Sequence, residues 1–118
     1  MPSREFELRV RDMLTEIAVV EETVAGLGVE LFVQNRQAVR AVLYSLAVIG
    51  EAVASAIDEL DAADPATPWH QIRGMRNAVI HEYFRVDVET VWQTTQLDLP
   101  MLKTALQQIL DALEAQGA

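Results

Sequence analysis

The sequence predicts a single all-α domain over residues 1–118, folded as an up-and-down bundle of four to five helices. Apolar residues recur at alternating spacings of three and four, which is the period of an amphipathic helix. No segment shows the apolar–polar alternation of a half-buried strand. Hydrophobic residues make up 51% of the 118 positions, so one core can form without disulfides or structural metal ions.

The first predicted helix ends before two glycines, Gly26 and Gly28. Its apolar stripe consists of Phe6, Val10, Met13, Ile17, Val20 and Val24. Glycine destabilises a helix interior and is frequent just beyond a helix end. We therefore expect a turn at these two glycines.

The second predicted helix is longer and runs from Glu30 or Gln34 to about Leu60. Its apolar stripe consists of Val39, Val42, Leu46, Ile49, Val53, Ile57 and Leu60. Gly50 lies inside this helix, where it costs about 1 kcal/mol relative to alanine. We expect a close contact with another helix at Gly50, and a hinge is the alternative.

Two prolines between residues 61 and 68 predict a loop after the second helix. A third helix is predicted from Trp69 to about Phe84, and Asp87 is a candidate N-cap for the next one. Asp98 is a candidate cap for a helix restart, with Pro100 in the first turn. The final apolar stripe consists of Leu102, Leu106, Ile109 and Leu113.

Charge is unevenly distributed along the chain. There are 9 Lys and Arg against 18 Asp and Glu, which gives a net charge of −9. The segment from His70 to Arg85 is +2 while the remainder is −11. Because an extended nucleic-acid-binding face is normally basic, this distribution favours a confined anion site.

The sequence contains no cysteine and two histidines. Disulfides, thiolate zinc sites and cysteine nucleophiles are therefore excluded. Neither an H-x3-H pair nor an acidic cluster surrounds His81, so we predict no metal and no cofactor. The chain begins without the apolar core of a secretion signal, and no apolar run approaches the ~18 residues of a membrane span. We expect a cytoplasmic protein that does not bind membranes.

The segment most able to carry chemistry contains the pattern R-x4-H-x-Y, formed by Arg76, His81 and Tyr83. On an α-helix, Arg73, Asn77 and His81 would share one stripe because they are four residues apart. Arg76 and His81 would instead lie about 140° apart around the axis. Either the helix ends near His81, or two copies of the segment meet across a symmetric interface.

An imidazole and a guanidinium are sufficient for RNA cleavage without a metal. His81 can remove the 2′-hydroxyl proton or protonate the leaving 5′-oxygen, and Arg76 can stabilise charge on the phosphorus. The alternative is a histidine with a structural hydrogen bond. Glu51 either pairs with Arg73 or Arg76 or is simply exposed. Candidate RNA- or phosphate-binding or orienting residues are Arg73, Asn77, Tyr83 and Arg85.

This pattern resembles the HEPN superfamily, and more closely the HepT-like toxins. The similarity extends beyond the short motif and covers about Val10 to Leu113. The matching elements are, in order, Ile49-Gly50-Glu51-Ala52, Pro68-Trp69, Gly74-Met75-Arg76-Asn77, His81, Tyr83-Phe84, Val86-Asp87, Val91-Trp92 and Asp98-Leu99-Pro100.

The resemblance implies an all-α homodimer with a ribonuclease site at the subunit interface. It also implies the toxin half of a toxin–antitoxin pair whose antitoxin, an MNT-type nucleotidyltransferase, transfers AMP to the motif tyrosine. Arg76 and His81 would then be catalytic, RNA would be the substrate and Tyr83 would accept AMP. Glu82 departs from the glycine frequent in relatives and places negative charge beside the site.

Two alternatives to the toxin follow from the same residues. The first is a catalytically weak HEPN module that binds a nucleotide or substrate for a nucleotidyltransferase. The second is a helical dimerisation protein without chemistry. The set of Arg76, His81 and Tyr83 favours the enzyme, because a pure binding domain has no need of a proton carrier near neutrality.

Overall fold

The computed structural model describes residues 3–78 and 87–117. Within these ranges the regular elements are helices, with no strand, so the predicted all-α fold class is confirmed. The helices are α1 (Arg4–Val24), α2 (Val29–Gln34), α3 (Arg36–Ser55), α4 (Ile57–Ala63), α5 (Trp69–Ile72), α6 (Val88–Gln93) and α7 (Leu99–Gly117). A 3₁₀ turn (Arg73–Asn77) follows α5, and a π-helical turn (Thr94–Asp98) joins α6 to α7.

Helix α1 forms as its apolar stripe predicts. The Ser3 hydroxyl oxygen caps its start by accepting a hydrogen bond from the Phe6 backbone N–H at 3.0 Å. Five members of the stripe are buried, namely Phe6, Val10, Met13, Ile17 and Val20. The chain leaves the helix through Gly26, whose φ of 76° is the left-handed conformation that glycine adopts at low cost.

The second predicted helix starts near Gln34, the later of its two predicted starts, since α3 begins at Arg36. Its predicted continuation to Leu60 is wrong, because the chain departs from helical geometry at Ala56. The Asn35 side chain accepts a hydrogen bond from the Ala38 N–H at 3.0 Å and so starts α3. Ala56 has φ −121° and ψ 23°, and its N–H is shared between two carbonyls of α3. The apolar spacing continues across Ala56, from Val53 to Ile57 and Leu60, so periodicity alone did not reveal this break.

The core lies where α1 packs against both α3 and α7. A buried Ser45 hydroxyl on α3 donates to the Glu16 carboxylate of α1 at 2.9 Å. Of the helices described, α3 alone has the length and hydropathy of a membrane span, yet 56% of its most apolar window is buried inside the bundle. Such burial is what the core helix of a bundle shows.

Three aromatic side chains connect the shorter helices to their neighbours. Trp69 is fully buried, and its indole N–H donates to the Asp64 carbonyl at 2.8 Å. This bond anchors the start of α5 to the loop before it. The rings of Phe32 and Trp92 lie 5.2 Å apart, which joins α2 to α6.

The carboxy-terminal third confirms one predicted cap and corrects another. Asp87 caps α6 by accepting a hydrogen bond from the Glu89 N–H at 3.0 Å. Helix α7 begins at Leu99 with Pro100 in its first turn, as predicted, but Asp98 as its cap is wrong, since Asp98 is the last residue of the π turn and helical dihedral angles continue through Leu99. Pro100 has no N–H and would crowd the carbonyl four residues before it. The π turn, in which the Leu99 N–H bonds the Thr94 carbonyl, accommodates that ring.

Candidate functional site

The candidate site is built on the 3₁₀ turn that follows α5. Residues three apart eclipse one another on a 3₁₀ helix, about 6 Å apart along its axis. Arg73 and Arg76 therefore share a face, and the α-helical stripe predicted for Arg73 and Asn77 is wrong for this segment. The correction changes the chemistry of the turn, because it puts two arginines on the same face.

Gly50 fixes the position of this turn. A Cβ on Gly50 would lie 2.6 Å from the Met75 carbonyl carbon and 2.8 Å from the Arg76 Cα, and it would collide with the Arg76 nitrogen. These are backbone atoms, so a side chain at residue 50 would force the turn away from α3. The predicted close contact at Gly50 is confirmed, and its partner is the backbone that carries Arg76.

The apolar side of the same segment is anchored in the bundle. Ile72 and Met75 are half-buried and pack against the core. Ala78, at the end of the turn, is buried. By contrast Arg76 and Asn77 are exposed and Arg73 is half-buried. The turn therefore presents its polar side chains outward from a backbone held on its opposite side.

No ion pair formed within the described ranges involves Arg73, Arg76 or Glu51. Glu51 is exposed on α3, directly after Gly50. Of the two predictions made for Glu51, exposure is the one that the described residues support. The two arginines give the turn two positive charges and no acid of its own, as an anion site requires.

Three predicted site residues, His81, Tyr83 and Arg85, lie outside the described residues. Their relation to Arg76, and the role of Asn77 in orienting His81, stay predictions. The other histidine, His70, is on α5 with its Nε2 3.2 Å from the Asp61 carboxylate. It belongs to the contact between α4 and α5.

Sequence reasoning missed the 3₁₀ geometry, although the composition of the turn offered a signal. Gly74 and Asn77 are both poor helix formers, and they lie within five residues. A segment with low α-helix propensity changes to 3₁₀ geometry at low cost when a tertiary contact favours it. The pairing of Gly50 with Arg76, in contrast, links segments 26 residues apart and leaves no local pattern.

Comparison with known proteins gives a family match over most of the chain. The family model described as "Ribonuclease HepT-like" matches residues 13–109. A Methanocaldococcus jannaschii protein named "Putative RNase" is 32% identical over 97% of this chain and 98% of its own. A Thermococcus cleftensis protein named "Probable ribonuclease HepT" is 33% identical over 80% of this chain and 86% of its own.

A third relative, from Caldanaerobacter subterraneus, is also named as an RNase and is 37% identical over 83% of this chain and 88% of its own. No solved structure matches the chain. The family match includes Gly50, the 3₁₀ turn and the whole R-x4-H-x-Y pattern. The relatives' names support ribonuclease activity. The chain belongs to the HepT-like ribonuclease family.

Proposed function

We propose that this protein is an endoribonuclease toxin of a toxin–antitoxin system and cleaves RNA without a metal ion. The observation that carries the proposal is the contact of Gly50 with the Arg76 backbone, in a chain of a ribonuclease family. This contact holds the backbone of Arg76, a predicted catalytic residue, in place while the Arg76 side chain is exposed. Such positioning lowers the cost of aligning a charged group with a transition state.

In the proposed reaction His81 accepts the proton of a ribose 2′-hydroxyl as that oxygen attacks the adjacent phosphorus. The bond from phosphorus to the 5′-oxygen breaks, and the leaving oxygen takes up a proton from water. The products are a 2′,3′-cyclic phosphate and a 5′-hydroxyl end. Arg76 stabilises the charge that builds on the phosphoryl oxygens, and Arg73, eclipsed with Arg76, is suited to a neighbouring phosphate.

The proposed active unit is a homodimer whose interface includes the segment from Arg73 to Phe84. Symmetric pairing would place two arginine–histidine sets in one cleft. The proposed partner is an MNT-type nucleotidyltransferase that transfers AMP to the Tyr83 hydroxyl. A phosphodiester at Tyr83 would add negative charge to an anion-binding cleft and oppose RNA entry.

A second candidate function is supported by the charge of the chain. Glu82 lies between His81 and Tyr83, and the net charge is −9. Both weaken attraction for RNA. The second candidate is a catalytically weak HEPN module that binds a nucleotide or substrate for its nucleotidyltransferase.

Expression of the protein alone, without its partner, separates the two candidates. The toxin predicts arrested growth that disappears in His81→Ala, at equal amounts of soluble protein. His70→Ala is the matched control, because His70 is on the face of α5 toward α4; this variant should arrest growth like the wild type. Normal growth with abundant soluble wild-type protein would favour the binding module.

A further inference from the structure

The exposed side of α3 carries a heptad-like seam. Its members recur at alternating spacings of three and four: Gln37, Arg40, Tyr44, Ala47, Glu51 and Ala54. The first three and Glu51 are exposed, with Tyr44 65% exposed, and the two alanines are half-buried. Residues at this spacing lie on one face of the helix, so they can all meet the same partner helix. The opposite side of α3 is already buried in the core.

The seam is complementary to itself when two copies run antiparallel. With the two-fold axis midway between Tyr44 and Ala47, each tyrosine faces the small side chain of the other copy's alanine. The same register sets Arg40 opposite the second copy's Glu51, at both ends of the seam. A parallel pairing would instead juxtapose arginine with arginine and glutamate with glutamate, which is unfavourable.

This pairing also determines where the two sites lie. Gly50 is about 90° around α3 from the centre of the seam, so the turn that carries Arg76 faces sideways from the helix pair. The two-fold axis of such a pair is perpendicular to the plane that contains both α3 helices. Groups that project out of this plane, such as the two Arg76 turns, therefore lie on the same side of it. The two Gly50 positions would be offset by about 14 Å along the helices, across an interaxial distance of roughly 8–10 Å.

We infer that α3 pairs antiparallel with α3 of a second copy, in the register that sets Arg40 opposite Glu51, and that this pairing opens both Arg76 turns into one cleft. The inference rests on the proposed homodimer, whose interface includes the segment from Arg73 to Phe84, and adds α3 and its register to that interface. It explains why Glu51, next to the basic turn, is exposed on a seam that also carries Arg40. Each charge has its counterpart on the other copy.

Single-stranded RNA is the competing occupant of this face, because an exposed tyrosine beside arginines can stack bases and hold phosphates. Arg36 and Arg40 lie toward one end, with Tyr44 next to them. Glu51 lies at the other end, nearest Arg76, and would repel the phosphates entering the site. The opposite charges at the two ends therefore favour a second copy over RNA.

Charge reversal tests the register. Arg40→Glu and Glu51→Arg should each weaken the dimer by about tenfold or more, measured by sedimentation over a concentration series. The double variant, which restores opposite charges across the axis, should recover the wild-type dimer. The matched controls are Arg4→Glu and Glu22→Arg, which make the same charge changes at exposed positions of α1 and should leave the dimer unchanged.

Three other outcomes would contradict the interface, the register or the dimer itself. A wild-type dimer unaffected by either single variant would overturn this interface while leaving the proposed function in place. Loss of the dimer in the single variants without recovery in the double variant would overturn the register. A monomeric wild type that cleaves RNA would overturn the dimer in the proposed function as well.

Tyr44→Ala separates the second copy from RNA. We expect a weaker dimer, with RNA cleavage falling in parallel because the cleft needs both copies. Circular dichroism should show unchanged helix content, since Tyr44 is exposed. A dimer of wild-type strength with at least tenfold weaker RNA binding would assign the face to RNA and overturn the inference.

Discussion

Two five-residue segments of this bundle depart from α-helical geometry in opposite directions. The 3₁₀ turn at Arg73–Asn77 tightens the helix, whereas the π turn at Thr94–Asp98 widens it. The first carries two arginines and no acid, and the second carries one aspartate and no base. The first is pressed against Gly50 of another helix, and the second lies inside one continuous helical run.

The difference shows that irregular backbone does not by itself identify a functional site. The π turn has a local cause, because Pro100 lacks an N–H. The 3₁₀ turn instead makes a tertiary contact, because the backbone of Met75 and Arg76 occupies the space that a side chain at residue 50 would fill. What favours the 3₁₀ turn as the functional one is its exposed positive charge on a fixed backbone.

The largest effect is expected from Arg76→Ala. Removing a group that stabilises transition-state charge should lower RNA cleavage by about 10²–10³-fold. The free energy of unfolding should change by no more than about 0.5 kcal/mol, because the side chain is exposed. Single-turnover cleavage and urea unfolding measure the two quantities. Arg73→Ala is the comparison and should cost less; equal losses in both variants would contradict the distinct role of Arg76.

Gly50→Ala should be next in size. The added methyl would meet backbone rather than a movable side chain, so we expect about 1–3 kcal/mol of destabilisation. Cleavage should fall too, because the turn must shift. Gly74→Ala is a matched control on the turn itself, where a Cβ has open space. Urea unfolding that finds Gly50→Ala as stable as Gly74→Ala would refute the contact.

The fold was largely predictable because the buried face of a helix appears in the sequence as apolar residues three and four positions apart. The stripe from Phe6 to Val20 and the cap at Asp87 are local patterns, and both formed as predicted. The break at Ala56 was not predicted, because the apolar spacing continues across it. The π turn before Pro100 was not predicted either, because its geometry depends on how the chain accommodates one proline ring. Gly50 predicted a close contact but not the partner in that contact. A glycine inside a helix indicates that another segment packs closely, but it does not identify that segment.

Pro100→Ala should have a small effect. The alanine restores an N–H and removes the ring that the π turn accommodates, so unfolding free energy should change by less than about 1 kcal/mol. RNA cleavage should equal that of the wild type, because the π turn carries no positive charge that could bind a phosphate. Reduced cleavage by a fully folded variant would show that the π turn contributes to function.

Tyr83→Phe should have the smallest effect on fold and on cleavage. It removes only a hydroxyl, whose hydrogen bond contributes at most about 1 kcal/mol. It should nonetheless abolish AMP transfer by the partner nucleotidyltransferase, visible as missing AMP mass increments on the intact chain. Tyr44→Phe is the control and should accept AMP as the wild type does. Equal modification of Tyr83→Phe and the wild type would place the acceptor elsewhere.

The central claim is that Arg76 and His81 cleave RNA without a metal ion, and one cleavage assay tests it most directly. Purified wild-type protein is incubated with RNA in excess EDTA, beside His81→Ala at the same concentration. We predict cleavage by the wild type, with 2′,3′-cyclic phosphate ends, and none by His81→Ala. Cleavage that EDTA abolishes and magnesium or manganese restores, or that survives in His81→Ala, would contradict the claim.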